Sequence, residues 1–311
     1  MPARRPAGGR PGKGGSGRGS SSQRGASGAG SSARSGRGGG ARRGGGPGSG
    51  GARVGAPKRP TTPKGLGGIQ VEGRQAVREL LLAGVRRTHE VWIAEDLDPS
   101  EIIDDIVNLA TELRVPIRKV SRRRLDDAST TEAAQGVLGR AAEIPEADLA
   151  ALLRPDPDGT APFLLALDGV TDPGNLGALL RTAYCAGVSG VLLPRHRSVH
   201  VTPTVTKAAA GAVEHVPMAL VGGLASSISQ LRDAGIWVVG LDSEADRSLF
   251  DLPLAGEAVC LVLGAEGRGL SRLVRQRCDL VVSIPMRGHL GSLNVSVSGA
   301  LGCYEVVRRR A

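Results

Sequence analysis

Six short apolar runs alternate with stretches of helical periodicity between Phe163 and the C-terminus. The runs are apolar almost throughout, a pattern typical of strands that are buried on both faces. Alternation of such strands with helices predicts an α/β fold whose parallel sheet is covered by helices on both sides. The predicted strands span residues 163–168, 190–194, 216–221, 236–242, 258–264 and 280–285, and a last helix spans 295–310.

A smaller α/β unit precedes this sheet. Its predicted helices span 71–84 and 99–114, and its predicted strands span 89–94, 116–120 and 135–141. The Pro-Asp-Pro-Asp-Gly run at 155–159 is typical of a linker. We therefore expect a small domain at 65–144, a linker at 145–162 and a sheet domain at 163–311.

The first 64 residues hold 14 Lys and Arg and no Asp or Glu, whereas residues 65–311 hold 26 basic and 30 acidic residues. The positive net charge of the chain thus belongs to this N-terminal tail. The tail has almost no large apolar side chains to offset the entropy of ordering, so we predict that it is disordered. Its Arg-Gly runs are compatible with sequence-independent RNA binding or with a purely solubilising role, and a mitochondrial transit peptide is less favoured because no amphipathic helix is visible.

Composition argues against several classes of protein. The four cysteines, Cys185, Cys260, Cys278 and Cys303, are too widely spaced for a zinc site or a disulfide framework. No apolar run approaches the roughly 20 residues that span a bilayer, and the N-terminus lacks the apolar segment of a secretory signal. We expect a cytoplasmic protein with neither a membrane nor a metal partner.

Polar residues gather where predicted strands end, and parallel sheets bind ligands at those ends. After the strand that ends at Asp168, turn-forming residues lead to Asn175, a candidate N-cap of a helix that carries Arg181 on its second turn. Arg181 lies between Leu180 and Thr182 on an otherwise apolar helix, which favours a functional role over simple solvation. For Asn175, capping and function stay equally open.

A glycine-rich turn at 264–269 follows another strand and precedes a helix. Its glycines would let a ligand lie against the backbone. The spacing is GxxGxG and not the GxGxxG of dinucleotide-binding proteins, and no acid ends a following strand to hold a ribose. These differences argue against an oxidoreductase built on the same sheet.

The last strand ends at Pro285, and a glycine-containing loop leads to Ser292-Leu293-Asn294 before the final helix. Ser292 or Asn294 could simply cap that helix. Several small residues predict that the helix packs closely in an interface or against a loop: Ser296, Ser298, Gly299, Ala300 and Gly302.

These three stretches resemble, in order and spacing, the three motifs of the SpoU/TrmH family of SPOUT methyltransferases. The matching segments are DPGNLGALLRTA at 172–183, VLGAEGRGLSRL at 262–273 and SIPM at 283–286 followed by SLNVSVS at 292–298. VEGRQAVRELL and AAQGVLGR are similar to the substrate-binding domain of the family, which is of the ribosomal protein L30e type. The resemblance covers residues 69–311 and is closest to enzymes that methylate a guanosine ribose in the peptidyl-transferase region of large-subunit rRNA.

The resemblance implies a C-terminal trefoil knot, S-adenosylmethionine as methyl donor, an RNA ribose 2′-hydroxyl as acceptor and a homodimer formed through the C-terminal domain. It implies five cofactor-binding residues: Gly264, Gly267, Ile284, Met286 and Leu293. It also implies five residues around the target ribose: Arg181, Asn175, Glu266, Ser292 and Asn294. Many relatives have His where this chain has Gln75, and Ala where it has Ser298.

For Arg181 we expect electrostatic stabilisation and not general-base catalysis, because a guanidinium is very hard to deprotonate. The sequence leaves open whether the target is rRNA, tRNA or an rRNA site that confers antibiotic resistance. A non-catalytic RNA-binding assembly factor is the remaining alternative. Intact Asn175, Arg181, Glu266 and Ser292 argue against it.

Overall fold

A computed structural model describes residues 65–196, 200–254 and 256–311. The predicted tail at 1–64 lies outside the described residues. Among the helices described, none combines the length and apolar character needed to cross a membrane.

Residues 70–141 form a four-stranded sheet in the order β1-β4-β2-β3, in which only β2 and β3 run parallel. Helices α1 and α2 pack on one face, against Val71, Val91 and Val137. The shorter α3 covers part of the other face, where Leu125 contacts Trp92 and Leu138. The elements are β1 Gln70–Glu72, α1 Arg74–Ala83, β2 Thr88–Ala94, α2 Glu101–Glu112, β3 Ile117–Val120, α3 Arg122–Ala128 and β4 Val137–Ala141.

The predicted helix at 71–84 is wrong at its beginning. Gly73 has a φ of +102°, outside the helical region, and its N–H donates to the carbonyl oxygen of Val137 at 3.1 Å. Residues 70–72 pair with β4 and extend the sheet, so the helix begins only at Arg74. Helix α3 was not predicted, because Leu125 is its only buried residue and gives no apolar periodicity.

The C-terminal sheet has seven strands in the order β7-β6-β5-β10-β8-β11-β9, and all neighbouring pairs are parallel. Its strands are β5 Phe163–Asp168, β6 Gly190–Pro194, β7 Met218–Val221, β8 Trp237–Leu241, β9 Arg247–Ser248, β10 Val259–Gly264 and β11 Leu280–Ser283. The helices of this part are α4 Leu149–Leu152, α5 Pro173–Cys185, α6 Pro203–Ala208, α7 Leu224–Asp233, α8 Arg272–Arg277 and α9 Val295–Arg310, with 3-10 turns at Ala212–Glu214 and Leu249–Asp251.

Strand β5 shows why the strands are apolar throughout. Phe163, Leu165 and Leu167 pack with α5 and α9 on one face, whereas Leu164 and Ala166 pack with α7 and α8 on the other. Both faces are covered, so the predicted α/β fold with a helix-covered parallel sheet is confirmed. The six predicted strands differ from the observed ones by at most two residues at either end.

Two elements of this part were not predicted. Strand β9 has only two residues, too few to give a sequence pattern. Helix α4 lies within the expected linker at 145–162, and its Leu152 packs against Gly190 at the start of β6. Leu152 thereby joins the core of the sheet.

The small residues of α9 pack inside the domain. A Cβ added to Gly299 would lie 2.3 Å from Leu179 Cδ2 on α5, and one added to Gly302 would lie 3.3 Å from Leu241 and Leu261. These glycines let α9 approach α5 and the sheet closely. For Gly299 and Gly302, the close packing predicted for the last helix is therefore against α5 and the sheet of the same chain, and not against a loop.

Candidate active site

Strands β5, β10, β8 and β11 are neighbours and run parallel, so their carboxyl ends meet at one edge of the sheet. The segments that follow β8, β10 and β11 enclose a cavity of about 780 Å³ at this edge. All five residues expected to bind the cofactor line this cavity: Gly264, Gly267, Ile284, Met286 and Leu293. Glu266, Ser292 and Asn294, which were expected to surround the ribose, line it as well.

The glycine-rich turn after β10 depends on a close backbone approach. Ala265 and Gly269 exchange two backbone hydrogen bonds, with N···O distances of 3.1 and 2.9 Å. A Cβ on Gly264 would lie 2.1 Å from the carbonyl carbon of Gly269, so a side chain there would displace the turn. Gly267 and Gly269 have φ values of +76° and +63°, which favour glycine. The turn thereby presents Glu266 at the cavity.

Three of the expected catalytic residues form one hydrogen-bonded cluster. Asn175 Nδ2 donates to Glu266 Oε2 at 3.3 Å, and Asn294 Nδ2 donates to Asn175 Oδ1 at 2.9 Å. The three side chains come from α5, the turn after β10 and the beginning of α9, so each of the three sequence motifs contributes one of them. This Asn175–Glu266–Asn294 cluster borders the cavity through Glu266 and Asn294.

Helix capping resolves the open question about Asn175. The cap of α5 is Asp172, whose Oδ1 accepts from the backbone N–H of Asn175 at 2.7 Å. The prediction of Asn175 as N-cap is therefore wrong, and its side chain is available to the cluster. Asn294 does cap its helix: its Oδ1 accepts from Ser296 N at 2.8 Å while its Nδ2 binds Asn175.

Arg181 is not part of the cluster. It lies six residues after Asn175, on the third turn of α5 and not on the predicted second, about 9 Å farther along the axis and about 120° around it. Its side chain is exposed and does not line the cavity. Within the described residues it makes no ion pair or side-chain hydrogen bond, so its guanidinium is available to bind an anion.

Sequence reasoning missed one wall of the cavity. Asp242, Ser243 and Glu244 follow β8 and line it, and Asp242 forms an ion pair with Arg275 at 3.5 Å. A ribose-binding acid is expected on a strand after the glycine-rich turn, whereas β8 precedes that turn in sequence and lies beside β10 in the sheet. An acid directly after a buried strand was the signal that could have found Asp242.

Comparison with known protein families gives two matches. Residues 162–304 match the SpoU rRNA Methylase family, and residues 70–147 match the family described as RNA 2′-O ribose methyltransferase substrate binding. The chain belongs to the SpoU rRNA methylase family. Together the two matches take in both sheets and all three motifs.

Individual relatives agree. The 23S rRNA (guanosine-2′-O-)-methyltransferase RlmB of Pseudomonas aeruginosa is 42% identical over 249 residues, which cover 78% of this chain and 96% of the relative. A Staphylococcus haemolyticus protein described as a TrmH family tRNA/rRNA methyltransferase is 40% identical over 250 residues, with the same two coverages. The fold resembles that of the SpoU methyltransferase AviRb from Streptomyces viridochromogenes in complex with AdoMet, with a TM-score of 0.65, 24% identity and coverages of 77% and 89%.

These findings confirm the predicted family and the enzyme class, an RNA 2′-O-methyltransferase. The predicted methyl donor, S-adenosylmethionine, follows from membership of this methylase family. Among the described residues, no group of three or more His, Cys, Asp or Glu side chains is arranged to bind a metal ion.

Proposed function

We propose that this enzyme methylates the ribose 2′-hydroxyl of a guanosine in 23S rRNA, with S-adenosylmethionine as methyl donor. The observation that carries the proposal is the position of the Asn175–Glu266–Asn294 cluster at the rim of the cavity that all five expected cofactor contacts line. The guanosine target is supported by the activity of the P. aeruginosa relative.

The cavity suits the chemistry of this cofactor. Its volume of about 780 Å³ lies within the range typical of small-molecule sites. Ile284, Leu293 and Val282 give it an apolar wall for a nucleobase, and Asp242 and Glu244 give it carboxylates for ribose hydroxyls and a positively charged group. S-adenosylmethionine supplies an electrophilic methyl group when bound there.

The residues of this chain would position the nucleophile. In the Asn175–Glu266–Asn294 cluster each amide is held by a neighbouring side chain, which leaves little freedom for reorientation when the ribose binds. We assign Glu266, Ser292 and Asn294 to contacts with the ribose, and Asn175 to holding Glu266 and Asn294 in place. Arg181, exposed and without an acidic partner in the described part of the chain, would bind the adjacent phosphate or the charge that develops on the 2′-oxygen.

The proposal also covers the chain topology, the domain bounds, the oligomeric state and the location of the enzyme. We propose a trefoil knot, which the placement of β10 between β5 and β8 and the packing of α9 on α5 support. We further propose an L30e-like RNA-binding domain at 65–144, a connecting segment at 145–162 and a methyltransferase domain at 163–311, preceded by the basic tail at 1–64, which lies outside the described residues. The enzyme would act as a homodimer in the cytoplasm, where its rRNA substrate is found.

Mapping ribose methylation in a deletion strain tests the target. Loss of a single 2′-O-methylguanosine in 23S rRNA, restored by the wild-type gene but not by the Arg181→Ala gene, is the expected result. Loss of a tRNA methylation with intact 23S rRNA would replace the proposed target with tRNA, the other substrate class named for the S. haemolyticus relative. An unchanged rRNA and tRNA pattern would contradict the enzymatic proposal.

A further inference from the structure

Helix α6 of the sheet domain lies against the small domain. Lys207 Cγ is 3.8 Å from the position that a Cβ would take on Gly73, in the turn between β1 and α1. The next residue in that turn, Arg74, donates from its backbone N–H to Gln135 Oε1 and from Nε to Gln135 O, both at 3.1 Å. The turn that carries Arg74 and the helix that carries Lys207 therefore meet at this seam between the domains.

Arg74 and Lys207 are partly exposed, and neither forms an ion pair within the described residues. Five other arginines of the small domain form ion pairs with carboxylates. The pairs are Arg78 with Asp105, Arg86 with Glu214, Arg118 and Arg140 with Glu90, and Arg122 with Asp96. The seam thus holds two positive charges that no carboxylate of the described chain neutralises.

The seam is held together by a buried ion pair. Arg86 of the small domain donates from Nε and Nη2 to the carboxylate of Glu214, at 2.8 and 2.6 Å, and both side chains are at most 3% exposed. The backbone N–H of Gly68 also donates to Val201 O at 2.7 Å. These contacts join the small domain to the sheet domain beside the seam.

Lys207 also lies close to the candidate active site. Its neighbour Ala208 packs on α5, where a Cβ on Gly177 would lie 2.5 Å from Ala208 Cβ. Gly177 is two residues from Asn175 on the same helix. From these contacts and standard backbone dimensions, the Cα atoms of Lys207 and Asn175 are about 15 Å apart at most.

We propose that Arg74 and Lys207 together bind the phosphate backbone of the substrate RNA a few nucleotides from the methylated ribose. Both act as positioning residues and not as catalytic ones. The inference rests on the proposed function only in that the bound strand is the substrate. Charge complementarity favours RNA over a protein partner, because successive phosphates neutralise both cations and the RNA releases the counterions condensed on those phosphates.

The test is RNA binding by the full chain without cofactor, measured by fluorescence anisotropy over a range of salt concentrations. The probe is an unmodified transcript of the peptidyl-transferase region of 23S rRNA. Lys207→Gln should reduce the slope of log affinity against log salt by about 0.9 and weaken binding about five-fold at physiological salt. Arg74→Gln should have a similar effect, and the double variant should reduce the slope by about twice as much as either single variant. Lys207→Arg, which keeps the positive charge, should bind like the wild type.

Lys119→Gln is the matched control, because Lys119 is the other lysine of the described residues and lies exposed on β3. It should bind like the wild type. If Lys207→Gln keeps the wild-type slope, or is no weaker than Lys119→Gln, the proposed phosphate contact does not exist. Saturating RNA should restore single-turnover methylation by Lys207→Gln, whereas a slow rate at saturation would contradict a pure positioning role. A further outcome is a transcript that shows the smaller salt slope with Lys207→Gln and yet is not methylated by the wild type. That result would refute the proposed 23S rRNA target but would still support the phosphate contact of Lys207.

Discussion

Arg181 is exposed on α5, outside both the cavity and the Asn175–Glu266–Asn294 cluster. A donor placed in this way can act on the RNA without contacting the methyl donor. We therefore expect Arg181→Ala to lower single-turnover methyl transfer by roughly 100- to 1,000-fold or more while S-adenosylmethionine affinity stays within a few-fold. Arg181→Lys should restore little activity, because an ammonium lacks the planar fork of the guanidinium.

The measurement is transfer of labelled methyl to rRNA, together with calorimetric titration of the cofactor. Arg154→Ala, which removes another exposed arginine, serves as the control and should behave like the wild type. Near-normal turnover by Arg181→Ala would remove Arg181 from the mechanism. Lost cofactor binding would instead place it in the cofactor site.

Glu72 gives a prediction for acid stability. Burial raises the pKa of this carboxyl, but hydrogen bonds from Thr131, Thr130 and Gln70 outweigh burial, so its folded pKa lies below the ordinary 4.5. Because the folded pKa is lowered, the ionised carboxylate adds to the free energy of unfolding. This contribution is fully present above pH 4.5 and is lost as the pH falls through the folded pKa. Glu72→Gln should therefore lower the free energy of unfolding at pH 7 by about 1–3 kcal/mol, and the difference should shrink in acid.

Urea unfolding of both proteins between neutral and acidic pH measures this difference. Glu132→Gln, which replaces an exposed carboxylate of the same loop, is the control for the substitution itself. A constant difference between the wild type and Glu72→Gln across the range would show that the carboxylate charge contributes nothing.

At the scale of elements, the turn between β10 and α8 shapes the cofactor cavity through Gly264. Because a Cβ there would lie 2.1 Å from Gly269 C and 2.4 Å from Leu270 N, Gly264→Ala must displace the turn. Overpacking of this kind costs roughly 1–3 kcal/mol. We expect S-adenosylmethionine affinity to fall about ten-fold or more by calorimetry. Gly288→Ala, with open space around its Cβ, should bind normally, and equal affinities for the two variants would contradict the geometry.

The sequence predicts the sheet domain well because its strands are buried on both faces, which produces long apolar runs such as 163–168 and 258–264. It predicts short or amphipathic elements poorly. The residues of strand β1 fit the helical pattern predicted for 71–84. The positive φ of Gly73 and the pairing of β1 with β4, which show that it is a strand, are features of the structure and not of the sequence.

The candidate site follows the same division. The motifs identify Glu266 and Asn294, but the wall at Asp242 depends on strand order, which places β8 beside β10. Local sequence also offered Asn175 as a candidate cap of α5, although Asp172 makes that hydrogen bond. A site residue such as Asp242, whose place in the cavity depends on which strands are neighbours, could therefore not be predicted from the sequence pattern.

For the whole molecule, the tail at 1–64 gives a prediction that separates folding from RNA binding. Its 14 cations predict that it contributes phosphate contacts, and its sequence has almost no large apolar side chains. Deleting it should leave the thermal midpoint and cofactor affinity unchanged while RNA affinity falls and its salt dependence becomes shallower. Differential scanning calorimetry and anisotropy measure the two effects. An unfolded truncated protein would show that the tail is structural.

The proposed homodimer makes a second prediction at this scale. Val297, Leu301 and Tyr304 lie on one side of α9 at helical spacing, with exposed fractions of 47%, 38% and 51%. The opposite side of α9 is buried against α5 and the sheet, so this apolar stripe is the side left for a partner. It supports the C-terminal dimer that the family resemblance implies.

We expect the wild type to sediment as a dimer at micromolar concentration, with an interface of about 1,000 Å² or more. Leu301→Glu would place a charge within that interface, where burial without a partner is costly, so this variant should sediment as a monomer with an unchanged circular dichroism spectrum. Leu273→Glu introduces the same charge at another exposed leucine of the same domain and should remain dimeric. A monomeric wild type would refute the dimer, and a dimeric Leu301→Glu would move the interface away from this face of α9.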